Sequence, residues 1–147
     1  MTRMIFVNLP VTDLPRSLAF YQAVGATPDP RFADDSAAAI SFTDTIHAML
    51  LTHARFASFT TRTIIDAHHQ ARAAFCLSEE SREAVDSRVR SAVAAGGTAD
   101  PNPVQDHGFL YSRSYADPDG HIWEPMWMDV EAAMAAGANQ QAPEPAA

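Results

Sequence analysis

Apolar and polar positions alternate over short stretches and switch to helical spacing twice, in the same order. Residues 4–11, MIFVNLPV, are rich in apolar and β-branched types and predict a strand. Asp13 is placed to cap a helix, and Pro15 suits its first turn. RSLAFYQAVG (16–25) follows with Leu18, Tyr21 and Val24 at helical spacing and Gly25 as the stop. AAAISF (37–42) and IHAMLLTH (46–53) predict two strands around the turn-forming TDT. Residues 53–70 have no clean period and predict a connection. RAAFCLS (72–78) predicts another strand, and Ser78 and Ser81 both suit a helix cap. REAVDSRVRSAVAAG (82–96) then carries Val85, Val89 and Ala92 or Val93 in one apolar stripe. FLYSRSYA (109–116) and HIWEPMWM (121–128) predict a hairpin around DPDG. The tail, 131–147, is Ala-, Gln- and Pro-rich; after helical first turns it is expected to be flexible.

The two halves echo each other. The first helix ends in GATPDP (25–30) and the second in GGTADP (96–101), and each half reads strand, helix, then further strands. This predicts an internal duplication. A half of about 60 residues buries too little apolar surface to stand comfortably alone. The expected division is a first module at 1–57, a connection at 58–69, a second module at 70–130 and the tail. Two curved sheets that face each other would bury one face each and leave a cleft between them.

Composition narrows the function classes. The chain has 147 residues, 47% of them apolar, and a net charge of −8. An acidic chain has no general attraction for phosphate backbones or anionic lipids, so neither nucleic acid nor a membrane surface is expected as a partner. The single cysteine, Cys76, excludes an intrachain disulfide and a multi-cysteine zinc site. No apolar run approaches the roughly 20 residues of a membrane span. The first residues enter a strand directly, without a signal-peptide pattern, and a cytoplasmic location is expected.

LPVTDLPRSLAFYQAVGA near the start and DPDGHIWE near the end resemble the vicinal oxygen chelate superfamily of glyoxalases, bleomycin-resistance proteins and extradiol dioxygenases. The matching positions are Val11, Asp13, Leu14, Ser17, Leu18, Phe20 and Tyr21, then Asp117, Pro118, Asp119, Gly120 and Glu124. The resemblance covers about residues 4–129 and is nearest to glyoxalase-like members described as predicted lactoylglutathione lyases. It implies an α+β fold of two βαβββ modules whose facing curved mixed sheets surround a cleft, and a homodimer. Metal-dependent relatives hold a divalent ion with about four His, Glu or Gln side chains. Glu124 matches the last of these. The first falls on Phe6 and the third near Ala74, which have no donor atom, and the remaining one on Met49 or Leu51. A thioether is a poor ligand for hard ions. No cofactor is therefore expected. Any divalent metal would rest on Glu124 with His47 or His53.

Two functional readings follow. In the first, the protein binds a small organic molecule between apolar and aromatic walls without a metal, by sequestration or by chemistry at Glu124, with Phe6, Met49, Leu51 and Phe56 as substrate contacts. In the second, it is a metal-dependent glyoxalase-like lyase or dioxygenase with Glu124 as a ligand. A third, plainer reading is a dimeric scaffold whose cleft is filled by its own side chains. The sequence leaves open whether it is an enzyme. Two faces of 109–116 also stay open. If Phe109, Tyr111, Arg113 and Tyr115 face the cleft, Arg113 clamps an anion or pairs with Glu124 while Tyr111 donates a hydrogen bond. If Leu110, Ser112 and Ser114 do, the cleft gains hydroxyls and loses its cation. Trp123 and Trp127, opposite in phase to Glu124, pack against a helix or a partner subunit. Asn8 is expected outside the cleft, and Cys76 as an inert core thiol.

Overall fold

The computed structural model describes residues 1–140; the last part of the expected tail, 141–147, lies outside the described residues. The first module contains β1 (Ile5–Val11), α1 (Leu14–Ala23), β2 (Thr27–Ala33), β3 (Ala37–Ser41) and β4 (Ile46–Thr52). A short helix, α2 (His53–Ala57), opens the connection. The second module contains β5 (Ala74–Ser78), α3 (Arg82–Ala94), β6 (Thr98–Ala99), β7 (Gln105–Asp106), β8 (Leu110–Ser112), β9 (Tyr115–Ala116) and β10 (Ile122–Met128). Helix α4 (Val130–Gln140) follows and runs on through Gly137, further than helical first turns alone.

Each module closes in the same way. In the first sheet the order is β1-β4-β3-β2, with β1 parallel to β4. In the second, β10 takes β5 as its parallel neighbour, and β8 and β9 antiparallel on its other side. The first strand of each module thus returns beside the last, which makes two βαβββ units and confirms the α+β class.

The repeated helix stops are the same device. Past α1, Gly25 N–H donates to the Gln22 carbonyl (3.1 Å) and Ala26 N–H to Tyr21 (2.9 Å). Past α3, Gly96 donates to Val93 (3.1 Å) and Gly97 to Ala92 (2.8 Å). These are Schellman pairs, and they need a left-handed residue that glycine supplies at φ 100° and 97°. Of the two candidate caps for α3, Ser81 is used: its hydroxyl accepts from Ala84 N–H at 3.0 Å.

Four elements were not read from the pattern. Strand β2 contains Pro28 and Pro30, which cannot donate to a ladder; it survives as an edge strand with a register shift between Asp29 and Ala33. Strands β6 and β7 are two-residue pairings. Helix α2 is capped by Thr52, accepting from Arg55 N–H, and by Ser58 at its other end, and has no buried residue.

One core serves both modules. Leu9 and Val11 of β1, Ile40 of β3 and Leu50 of β4 pack under Phe20 and Tyr21 of α1 and its C-cap residue Val24. The same cluster takes in Val89 and Ala92 of α3, Tyr115 of β9 and Trp123 of β10. The Tyr21 ring stands edge-on to Trp123 at 5.9 Å. Trp123 is only 2% exposed, so its partner is this core and not a second subunit.

Polar groups join the modules at the same place. Tyr21 donates its hydroxyl proton to Asp117 Oδ2 (2.6 Å) and accepts from Trp123 Nε1–H (3.0 Å). Asp119 accepts from Thr12 N–H (3.0 Å), Thr12 Oγ1 (2.7 Å) and Ser17 Oγ (3.3 Å). Both carboxylates are buried and hydrogen-bonded, as burial requires. The DPDG turn is therefore a latch between the halves, with its two acids turned into the protein. Burial raises the Asp117 pKa, and burial with the adjacent carboxylate raises that of Tyr21.

Candidate functional site

Strand register sorts the side chains into a helix face and an open face on each sheet. On the first sheet, Phe6 pairs with His47, Asn8 with Met49 and Pro10 with Leu51, all on the open face. Asn8 therefore shares its face with Phe6, contrary to expectation, because residues two apart point the same way. Phe6 is 56% exposed and stacks on His47 at 4.8 Å, whereas Leu51 is buried. On the second sheet, Ala74 pairs with Ile122, Cys76 with Glu124 and Ser78 with Met126 on the open face. Phe75 and Trp123 occupy the helix face beside them.

Glu124 is half-buried. Its Oε1 accepts from the Asn102 side-chain amide at 2.7 Å. Asn102 is itself held at both backbone groups by the Ser114 hydroxyl, which accepts its N–H (2.9 Å) and donates to its carbonyl (3.1 Å). Among the described residues no cation pairs with Glu124. It borders a cavity of about 420 Å³ in the seam between the modules, opposite Phe42 and Ile46 and beside Cys76 and Met126. The charged pair in that wall is already satisfied: Arg88 Nε donates to Glu79 at 2.7 Å. Glu124 is thus a carboxylate with spare acceptor capacity at an apolar cavity. Cys76 is exposed on the open face, not in the core as expected. Partial burial of its sulfur and the Glu124 charge both raise its pKa, which keeps it a thiol and a weak nucleophile.

The side chains expected around a metal do not fit one. Phe6 and Ala74 carry no donor atom. His47 has both nitrogens engaged, Nδ1 with the Ser41 hydroxyl (2.7 Å) and Nε2 with the Asp44 carbonyl (3.2 Å). A carbonyl can only accept, so Nε2 carries the proton and Nδ1 takes the hydroxyl's. His53 is exposed at the start of α2. Among the described residues no three of His, Cys, Asp and Glu gather as a metal group.

Tyr111 and Arg113 do not reach the open face. Tyr111 is in register with Trp127 and Tyr115 with Trp123, which puts this phase of the strand on the α3 side. Tyr111 donates to Asp86 at 2.8 Å, and Arg113 bridges Asp86 (3.0 Å) and Asp100 (2.6 Å). The Tyr111 hydrogen bond and then the Arg113 charge lower the Asp86 pKa; Arg113 lowers that of Asp100. The open face receives Ser112, in register with Met126. Phe56 and Met49 are separated from Glu124: Phe56 borders a second cavity, and Met49 lies on the first sheet. Asn102 was not singled out in the sequence; it sits in an irregular Pro-flanked loop and shows no periodic signal.

The comparisons with known proteins agree with this architecture. Residues 3–124 match the model of the Glyoxalase/Bleomycin resistance protein/Dioxygenase superfamily, and the chain belongs to that family. A hypothetical protein from S. aureus is 24% identical with a TM-score of 0.71, over 86% of this chain and 95% of its own. A glyoxalase/bleomycin resistance protein/dioxygenase family enzyme from Burkholderia phytofirmans PsJN is 21% identical with a TM-score of 0.69, over 86% and 99%. A genomically encoded fosfomycin resistance protein from Listeria monocytogenes is 19% identical with a TM-score of 0.60, over 86% and 91%. At these identities the likeness speaks for the fold. No curated protein matches the chain. No helix among the described residues is long and apolar enough to cross a membrane.

Proposed function

We propose that the protein binds a small organic molecule in the cavity beside Glu124, without a metal, and that Glu124 is its polar anchor. The supporting observation is the combination at Glu124: a half-buried carboxylate, held by one amide, without a cation partner among the described residues and set at an apolar cavity of about 420 Å³. That volume is in the ordinary range for small-molecule sites. A carboxylate so placed accepts hydrogen bonds from a ligand amine or hydroxyl, or takes a proton from it. The finer lyase reading of glyoxalase-like relatives needs a divalent ion, for which this donor set is unsuited.

The test is a thermal-shift screen of small amines, alcohols and antibiotics, followed by affinity measurement on Glu124→Gln. The substitution keeps the shape and removes the charge. Loss of one charge-assisted hydrogen bond is about 1.5–3 kcal/mol, so affinity should fall roughly tenfold to a hundredfold. Unchanged affinity and turnover in Glu124→Gln would leave the residue a structural relic and defeat the reading.

The homodimer belongs to the same proposal. Strands β1 and β5 each have one unpaired edge. Arg72 and the His121 ring reach the Asn8 and Pro10 carbonyls of β1, but Met4, Ile5 and Phe6 remain exposed beside that edge. A second copy is the natural cover for such a strand. Sedimentation at tens of micromolar, about where a modest dimer forms, should find a dimer in the parent and a monomer in Phe6→Glu. A monomeric parent would refute it.

A further inference from the structure

A second cavity, of about 330 Å³, opens under the connection, away from Glu124. Its apolar wall includes Phe56, Ile64, Ile65, Phe75 and Ile122, contributed by the connection and by β5 and β10. Its charged side chains are Arg62 and Arg72, and no carboxylate lines it. In a chain with 18 acids and 10 bases this is an unusual balance.

The other arginines show why it matters. Among the described residues, five of the other eight, Arg31, Arg82, Arg88, Arg90 and Arg113, each pair with an acid, while Arg3, Arg16 and Arg55 do not. Among the described residues Arg62 and Arg72 have no acid partner either, although the connection has an acid of its own. That acid, Asp66, is turned to His69 at 2.7 Å. Arg72 makes one long contact, 3.5 Å to the Asn8 carbonyl, and lies over the Phe56 ring at 5.7 Å. The Arg62 side chain makes no hydrogen bond among the described residues. Both forks therefore keep N–H donors for an incoming group. His121, also in the wall, has Nε2–H committed to the Pro10 carbonyl at 2.7 Å.

The wall is held in place. The backbone of Ala67 and His68 lies so close to Gly120 that a Cβ there would sit 2.6 Å from it. The cavity is thus formed before any ligand arrives.

We infer that this cavity binds a small organic anion: its ring-sized apolar body lies against Phe56, Ile64 and Ile122, and its carboxylate or sulfonate is taken by Arg62 and Arg72. A guanidinium presents two parallel donors that match such a group. The site is separate from the Glu124 cavity, and Phe75 borders both.

The test is calorimetric titration of the full chain with naphthalene-2-sulfonate and with its neutral sulfonamide. The sulfonate should bind at least roughly tenfold more tightly, the difference expected of a charge-assisted contact. Arg62→Gln and Arg72→Gln, both exposed positions, should each remove most of that preference and leave sulfonamide binding and the melting temperature unchanged. Glu124→Gln should leave both ligands unaffected. Equal affinity for the two ligands overturns the inference, as does a sulfonate with no saturable heat up to about 5 mM, where even a weak site would fill. So does a preference that persists in the double arginine variant. A preference that responds to Glu124→Gln and not to the arginines also overturns it, by moving the ligand to the other cavity.

Discussion

Tyr21→Phe is expected to destabilise the fold by about 3 kcal/mol at neutral pH, the sum of two orphaned buried groups at about 1–3 kcal/mol each. The hydroxyl bridges Asp117 Oδ2 and the Trp123 indole N–H, and both residues are 2% exposed. Phenylalanine keeps the ring contacts with Phe20, Phe42 and Trp123, so the loss isolates the hydroxyl. The loss should also depend on pH in a definite direction. Burial already raises the Asp117 pKa, and the Tyr21 hydrogen bond opposes that rise. Without it the folded carboxyl binds its proton more readily. A group with a raised folded pKa contributes its full stability below its unfolded pKa and loses it as pH rises through the folded one. The variant should therefore lie closer to the parent near about pH 4.5 than at pH 7. Urea unfolding at the two pH values measures this. A loss below about 1 kcal/mol at pH 7, the size of an ordinary exposed hydrogen bond, would show that the modules are not joined here.

Gly120→Ala should be at least as severe. The residue has φ 90°, and an added Cβ would meet the Ala67 carbonyl carbon and His68 nitrogen at 2.6 Å. Left-handed strain on a non-glycine residue is about 1–3 kcal/mol, and the backbone clash adds to it because neither partner is a flexible side chain. The connection has to lift from the turn. A lower melting temperature, faster proteolysis within 58–73 and loss of sulfonate binding at the arginine cavity should appear together. Gly108→Ala is the internal comparison: φ is 77° but nothing lies within 4 Å of an added Cβ. It should show the backbone strain alone, about 1–2 kcal/mol. Equal effects at the two glycines would mean that the connection is not pinned at Gly120.

Much of this architecture was legible in the sequence because its signals are local. The period change at Asp13, the glycines after each helix and the alternation in 46–53 each act within a few residues. The two-module plan followed from the duplicated order. What escaped were features whose causes lie across the chain. Strand β2 is extended because β3 offers it an edge, despite two prolines. The orientation of Tyr111 and Arg113 is decided by register with Trp127 and Trp123 and by Asp86 on α3; their own alternation allowed either face. The family motif pointed to Glu124, but the side chain that holds it, Asn102, is in a loop without pattern. The two acids of DPDG read as turn formers, and they are that, yet their oxygens are spent on Tyr21, Thr12 and Ser17 about a hundred positions earlier.

That separation has a consequence for how the chain is made. The bonds from Thr12, Ser17 and Tyr21 close loops of 107, 102 and 96 residues. Synthesis runs at about 5–20 residues per second, so the amino-terminal half waits roughly 5–20 seconds for its partners. During that interval Phe20, Tyr21 and the helix face of β1 have no second sheet to close over them. Folding is held back by topology, since such distant contacts reward the chain only after their closure entropy has been met. The emerging first module is the species on which a chaperone or an aggregation-prone neighbour would act.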